Sequence, residues 1–118
     1  MLSSAVPQRV YLSCGPTDMR KSIDGLAAIV SLEFNLDPFA DCMFVFCNRA
    51  RNKLKILYWD TNGFWLYYRR LERGRFRWPE ANQGGPISIS RRQLDWLLAG
   101  LALEQAQAHR KVTSRKVA

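Results

Sequence analysis

Between Arg49 and Trp78 the chain interleaves nine cations, Arg49, Arg51, Lys53, Lys55, Arg69, Arg70, Arg73, Arg75 and Arg77, with the rings of Trp59, Phe64, Trp65, Tyr67, Tyr68, Phe76 and Trp78. Arginine forks match phosphate oxygens two bonds at a time, lysine supplies a compact point charge, and an exposed ring can stack on an unpaired base. The chemistry these residues could do together is the binding of a polyanion. The plainer reading is that most of the rings are core and that only cations at turns face water. The cations resist it better, because Lys and Arg are rarely buried without partners.

The net charge of +8 is not spread evenly. Residues 1–48 hold three Lys/Arg against five Asp/Glu, residues 49–77 nine against two, residues 78–108 two against three, and residues 109–118 four against none. Charge focused in this way favours a polyanion through counterion release, with nucleic acid the commonest such partner in the cytoplasm. A basic surface that only confers solubility is the competing explanation.

The inventory for catalysis is poor. Two-metal phosphoryl transfer needs carboxylates converging on cations, and the ten acids show no such signature. Asp18, Asp24 and Asp60 are the ones worth testing, yet a helix cap, an outward helix residue and a strand-end turn former explain them more simply. No Walker-type loop is present: Gly84-Gly85 lacks the following lysine. The single histidine, His109, stands in a polar tail, and no serine has an elbow context. Cys14, Cys42 and Cys47 lack the paired spacing of a zinc site and are expected to be buried thiols. The reading is a non-enzyme without cofactor or metal.

These residues need elements to hold them. Arg9 to Cys14 alternates, with Val10 and Leu12 opposite Tyr11 and Ser13, and reads as a strand ended by Gly15-Pro16. Thr17 or Asp18 is expected to cap a helix whose apolar face is Met19, Ile23, Leu26, Ala27 and Val30, with close packing around Gly25 and an end at Asn35 to Pro38. Met43 to Cys47 suits a strand buried on both faces. After a turn at Asn48 to Asn52, Lys53 to Asp60 and Gly63 to Arg70 alternate around Thr61-Asn62-Gly63, where Asn and Gly tolerate the positive φ of a tight hairpin. After a turn at Glu72 to Gly74, Arg75-Phe76-Arg77-Trp78 alternates again, which makes a meander of three or four antiparallel strands. Ile87 to Ile89 is at most a short strand. Ser90-Arg91-Arg92-Gln93 has the form of a capping box opening a helix with Leu94, Leu97, Leu98 and Leu101 on its apolar face.

The expected architecture is one α+β domain over residues 9–103: a single antiparallel β-sheet of four to six strands, an N-terminal helix packed on it and a C-terminal helix. Residues 1–8 read as a disordered lead-in and 104–118 as a basic flexible tail. The longest apolar runs fall far short of the roughly 20 residues that span a bilayer, so the expectation is a cytoplasmic protein with no membrane partner. An exposed edge strand would permit a homodimer.

Several motifs together resemble one family. Val10-Tyr11-Leu12, then Gly15-Pro16-Thr17-Asp18-Met19-Arg20-Lys21-Ser22-Ile23-Asp24-Gly25-Leu26 and Asp37-Pro38-Phe39, are similar to the TnpB accessory proteins of insertion sequences of the IS sixty-six type. Phe44-Val45-Phe46 with Asn48-Arg49, Lys55 to Asp60, Gly63 to Leu66, Arg69 to Pro79 and Leu94 to Leu101 follow in the family's order. Arg69 departs by standing where relatives commonly carry lysine, which preserves the charge. The family is distinct from the larger RNA-guided nuclease that shares its name. The resemblance implies a bacterial mobile-element protein encoded beside a separate transposase and assisting transposition. It supplies no catalytic residue.

Two modes of action follow from different classes. In the first, the nine cations gather on one sheet face and at its turns and bind DNA through that basic face. In the second, the chain is an interaction module for the transposase, with Trp65, Tyr67 and Trp78 as exposed anchors. A metal-dependent nuclease using Asp18 and Asp60 is the weakest of the three.

Overall fold

The computed structural model describes residues 7–80, 85–101 and 103; most of the expected lead-in and the whole of the expected tail, residues 104–118, lie outside the described residues. In chain order the elements are β1 (Arg9–Ser13), α1 (Ile23–Ala28) continued by a π-helical turn (Ile29–Glu33), β2 (Met43–Cys47), β3 (Lys53–Asp60), β4 (Gly63–Arg70), β5 (Pro86–Ser90) and α2 (Arg91–Leu98). The strands form one five-stranded sheet in the order β4-β3-β2-β1-β5.

Alternation builds both faces of this sheet from the same strands. All five residues of β2 are buried: Met43, Val45 and Cys47 point to one side, Phe44 and Phe46 to the other. On the first side Val10, Leu12, Leu54, Ile56 and Ile89 pack with Leu94 and Leu97 of α2. On the second Leu57 packs with Leu26 of α1 and with Val30. One helix therefore covers each face, and each fully buried Leu or Phe contributes roughly 1.5–3 kcal/mol through water exclusion.

The sheet is α+β as expected, with one difference. β1 pairs in parallel with β2 and antiparallel with β5, so the sheet is mixed. The chain leaves β1, crosses over through α1 and returns as β2, which forces the parallel pairing. The three strands β2, β3 and β4 form the expected antiparallel meander. The proposed fourth strand does not form. Phe76 and Trp78 are buried while Arg75 and Arg77 are exposed, so the alternation is real, but the segment joins no ladder. The Phe76 N–H donates to the Arg51 carbonyl at 2.7 Å, and the Trp78 indole donates to the Ser13 carbonyl at 2.8 Å.

The first helix also begins later than expected, at Ile23, with no side-chain cap from its flanking Ser22. The Lys55 ammonium takes the carbonyls of Met19 and Lys21 at 2.8 and 2.9 Å, oxygens that a helix starting at Asp18 would need for its own ladder. Asp18 instead closes a turn by accepting from the Arg20 N–H. A Cβ on Gly25 would meet the Lys21 stem at 3.2 Å, so the close approach there is to that side chain. The β3–β4 hairpin uses a two-residue turn in which Thr61, and not Asn62 or Gly63, takes the positive φ of 56°. The capping box at Ser90 is complete: its hydroxyl accepts from the Gln93 N–H at 3.0 Å and the Gln93 side chain accepts from the Ser90 N–H at 2.9 Å. Gln8 of the expected lead-in is held, because its carbonyl accepts from the Arg91 N–H at 3.0 Å.

Candidate nucleic-acid interface

The turn between β2 and β3 is the most heavily braced loop of the molecule's cationic half. The Asn48 side chain accepts from the N–H groups of Asn52 and Lys53 at 3.0 and 3.1 Å and donates to the Asn52 side chain at 2.8 Å. Arg51 takes a left-handed φ of 62°, an unfavourable conformation for a side chain that has a Cβ. Its guanidinium offsets this by donating to the Cys14 carbonyl at 3.1 Å and lying 5.8 Å from the centre of the Trp78 ring. One Arg51 nitrogen is buried with no hydrogen-bond partner. Burial pushes the Cys47 thiol up, and the same guanidinium opposes this by favouring the ionised form.

Against this turn the segment after β1 forms the opposite wall of a groove of about 940 Å³. Asp18, Met19 and Arg20 line one side and Asn48, Arg49 and Ala50 the other, while Lys53, Lys55, Leu66 and Tyr68 make the floor. The floor follows from register: Lys53 lies opposite Arg70 and Lys55 opposite Tyr68, so these four side chains share the α1 face of the sheet. α1 and its π-helical turn cover Phe44, Phe46 and Leu57 and leave this end of β3 and β4 open.

The nine cations divide into three groups. Among the described residues the side chains of Arg49, Lys53, Arg69, Arg73, Arg75 and Arg77 make no hydrogen bond or ion pair. Arg70 pairs with Glu72 at 2.9 Å in full view of solvent, a contact worth little. Arg51 and Lys55 are turned inward onto backbone carbonyls and brace the groove instead of facing a ligand. The expectation of a single cationic face is also corrected. Arg69 and Arg70 are consecutive in a strand and so point to opposite faces, with Arg69 across from Leu54 and Arg70 across from Lys53. Arg75 and Arg77 stand on the extended segment beside the α2 face.

The aromatic anchors separate as well. Trp78 is buried, 9% exposed, and its indole N–H is spent on Ser13, so it is a core residue and not an exposed anchor. Trp65 is 41% exposed, stacks on the half-buried Tyr67 with centroids 6.0 Å apart, and donates to Asp60 at 3.1 Å. Sequence reasoning missed Arg20 as a groove residue, and of the rings it named beside the cations Tyr68 is the one that lines the groove. Arg20 lies in a stretch of net negative charge, and its opposition to Arg49 exists only once β1 and β2 are paired.

The acids do not form a catalytic group. Asp18 binds Arg20 through two oxygens, and that guanidinium holds its carboxyl down to about 2. Asp60 accepts from Trp65 and Thr61, and Asp24 is exposed on α1. Among the described residues no three His, Cys, Asp or Glu side chains are placed to hold a metal ion. The three cysteines are free and buried, and burial pushes the Cys42 thiol up to about 11. No described helix is long and apolar enough to cross a membrane.

Fold and site thus define a small α+β domain organised around a braced, cation-lined groove. The chain belongs to the IS66 Orf2-like family, whose model matches residues 8–108. It is similar to the uncharacterized protein y4hO of Sinorhizobium fredii, 43% identical over 101 residues that cover 86% of this chain and 87% of that one. It is also similar to the uncharacterized protein y4jC of the same organism, 32% identical over 93 residues, or 79% of each chain. No solved structure matches. Membership makes the chain a transposition-associated accessory protein.

Proposed function

We propose that this accessory protein is non-catalytic and binds DNA in the bacterial cytoplasm, placing phosphates against the groove rim at Arg49 and Lys53. Arg70 extends the same surface along the sheet edge, and Arg69, Arg73, Arg75 and Arg77 supply peripheral contacts. The observation that carries the reading is Arg49 and Lys53, two cations left without a partner on the lining of a groove that Lys55 and the neighbouring Arg51 hold in shape, with Arg69, Arg73, Arg75 and Arg77 unpaired elsewhere on the surface. Unpaired cations held near one another repel, and a polyanion relieves that repulsion while releasing counterions. The test is DNA retention across a salt series. Affinity should fall steeply, by roughly one unit of log K per log salt for each phosphate contacted. Arg49→Glu with Lys53→Glu should flatten that slope, and a protein that retains neither duplex nor single strand at low salt would sink the proposal.

A second reading has its own observation. The stacked Trp65–Tyr67 pair lies on β4, an edge strand with one side unpaired in the sheet, which is the geometry of a protein docking surface. Its partner would be the transposase encoded by the same element, or a second copy of this chain in a homodimer. Co-purification with that transposase that survives nuclease treatment and is lost in Trp65→Ala supports it; loss on nuclease treatment alone assigns the association to bridging DNA.

A further inference from the structure

The groove floor carries a feature that a duplex has no use for. Tyr68 is 53% exposed, in a groove that Arg20, Arg49, Lys53 and Lys55 also line. Its ring is also held in place before any ligand arrives. The Lys55 ammonium, fixed by the Met19 and Lys21 carbonyls, lies 5.8 Å from the ring centre and braces it. A duplex presents phosphates outward and keeps its base faces stacked within, so it can meet Arg49 and Lys53 but has no base face to offer the Tyr68 ring in the same groove. A single strand presents both, and a fixed ring below flanking cations is the arrangement that takes an unpaired base with its phosphates. The same face continues along β3 and β4 to a second group of rings, Phe39, Trp59 and Phe64, with centroids 4.9–5.5 Å apart and Phe39 55% exposed.

We infer that the groove is selective for single-stranded nucleic acid, with a base stacked on Tyr68 and its flanking phosphates held by Arg49 and Lys53. This rests on the DNA-binding reading and narrows its substrate. The experiment is fluorescence anisotropy of the full chain with a labelled oligothymidylate of about 16 nucleotides, the matching oligouridylate, and a duplex of equal length, all at one salt concentration. The unpaired strand should bind more tightly than the duplex. Tyr68→Ala should weaken single-strand binding about five- to a hundredfold and leave duplex binding unchanged, while Tyr68→Phe retains the wild-type preference. Arg49→Glu should weaken both. The oligouridylate arm distinguishes DNA from RNA as the source of the strand. Tyr68 is exposed, so both variants should fold, and their far-ultraviolet dichroism checks this. Duplex binding with no loss of single-strand affinity in Tyr68→Ala overturns selectivity and leaves the DNA reading standing. Binding to none of the three probes removes both.

Discussion

The two faces of the sheet are made by the same strands, and they end in different states. On the α2 face the strands, Leu94, Leu97 and the extended Phe76–Trp78 segment close over one another, and the indole of Trp78 reaches across to tie that segment to β1. On the α1 face the cover stops short. Leu26 and Val30 seal Phe44, Phe46 and Leu57, but at the level of Lys53, Lys55, Tyr68 and Arg70 there is only the braced wall of residues 16–20. A short helix thus does two jobs: its length sets how much core is buried, and its end sets where the groove starts.

Three substitutions or titrations probe that contrast, in descending order of effect. Phe46 is fully buried beneath the α1 face and lies opposite Lys55, so Phe46→Ala should collapse the support of the groove and cost about 3–5 kcal/mol of unfolding free energy, read by urea denaturation. On the closed face, Trp78→Phe keeps most of the packing but strands the buried Ser13 carbonyl. The expected loss is about 1–3 kcal/mol, and because the Trp78 ring also backs the Arg51 guanidinium, a smaller fall in DNA affinity should accompany it, which measures how far the closed face supports the groove. The smallest effect belongs to the groove rim. The Asp18 carboxyl is lowered from an ordinary 3.8 to about 2 by its hydrogen bonds from Arg20. A carboxyl depressed in the folded state stabilises above its unfolded value, so its contribution is complete above about pH 4 and is lost as pH falls through about 2. The pair is solvent-exposed, so solvent screening keeps the change in stability small. The carboxyl titration followed by NMR should show the low midpoint directly and should move up in Arg20→Ala.

Local signals were read correctly where local physics decides the outcome. The run Met43 to Cys47 is apolar at every position because β2 is the centre of the sheet, and the β3–β4 hairpin has the bounds its alternation and turn indicate. Ser90 and Gln93 lie three residues apart and complete each other without help from the rest of the fold. What sequence reasoning missed depends on distant partners. The parallel pairing of β1 with β2 is a consequence of the crossover. The late start of α1 is imposed by Lys55, which is 34 residues downstream of the Lys21 carbonyl it binds. The same contacts remove Arg51 and Lys55 from the ligand-facing set and bring Arg20 opposite Arg49. Charge totals located the basic half of the site; only the tertiary contacts show which cations are tied and which are free.

The position of β1 has a consequence for how the protein is made. Its outer edge is completed by β5, with Arg9 opposite Ser90, so synthesis must run on past Ser90 before the first strand gains its second neighbour. At bacterial and other ordinary elongation rates of about 5–20 residues per second, that is a wait on the order of ten seconds. During it Val10 and Leu12, both fully buried in the finished sheet, have no β5 beside them and no α2 above them. Closing so long a loop is slow in itself, and the nascent chain carries an unpaired strand edge, the element most prone to pair with the wrong neighbour, until β5 has emerged.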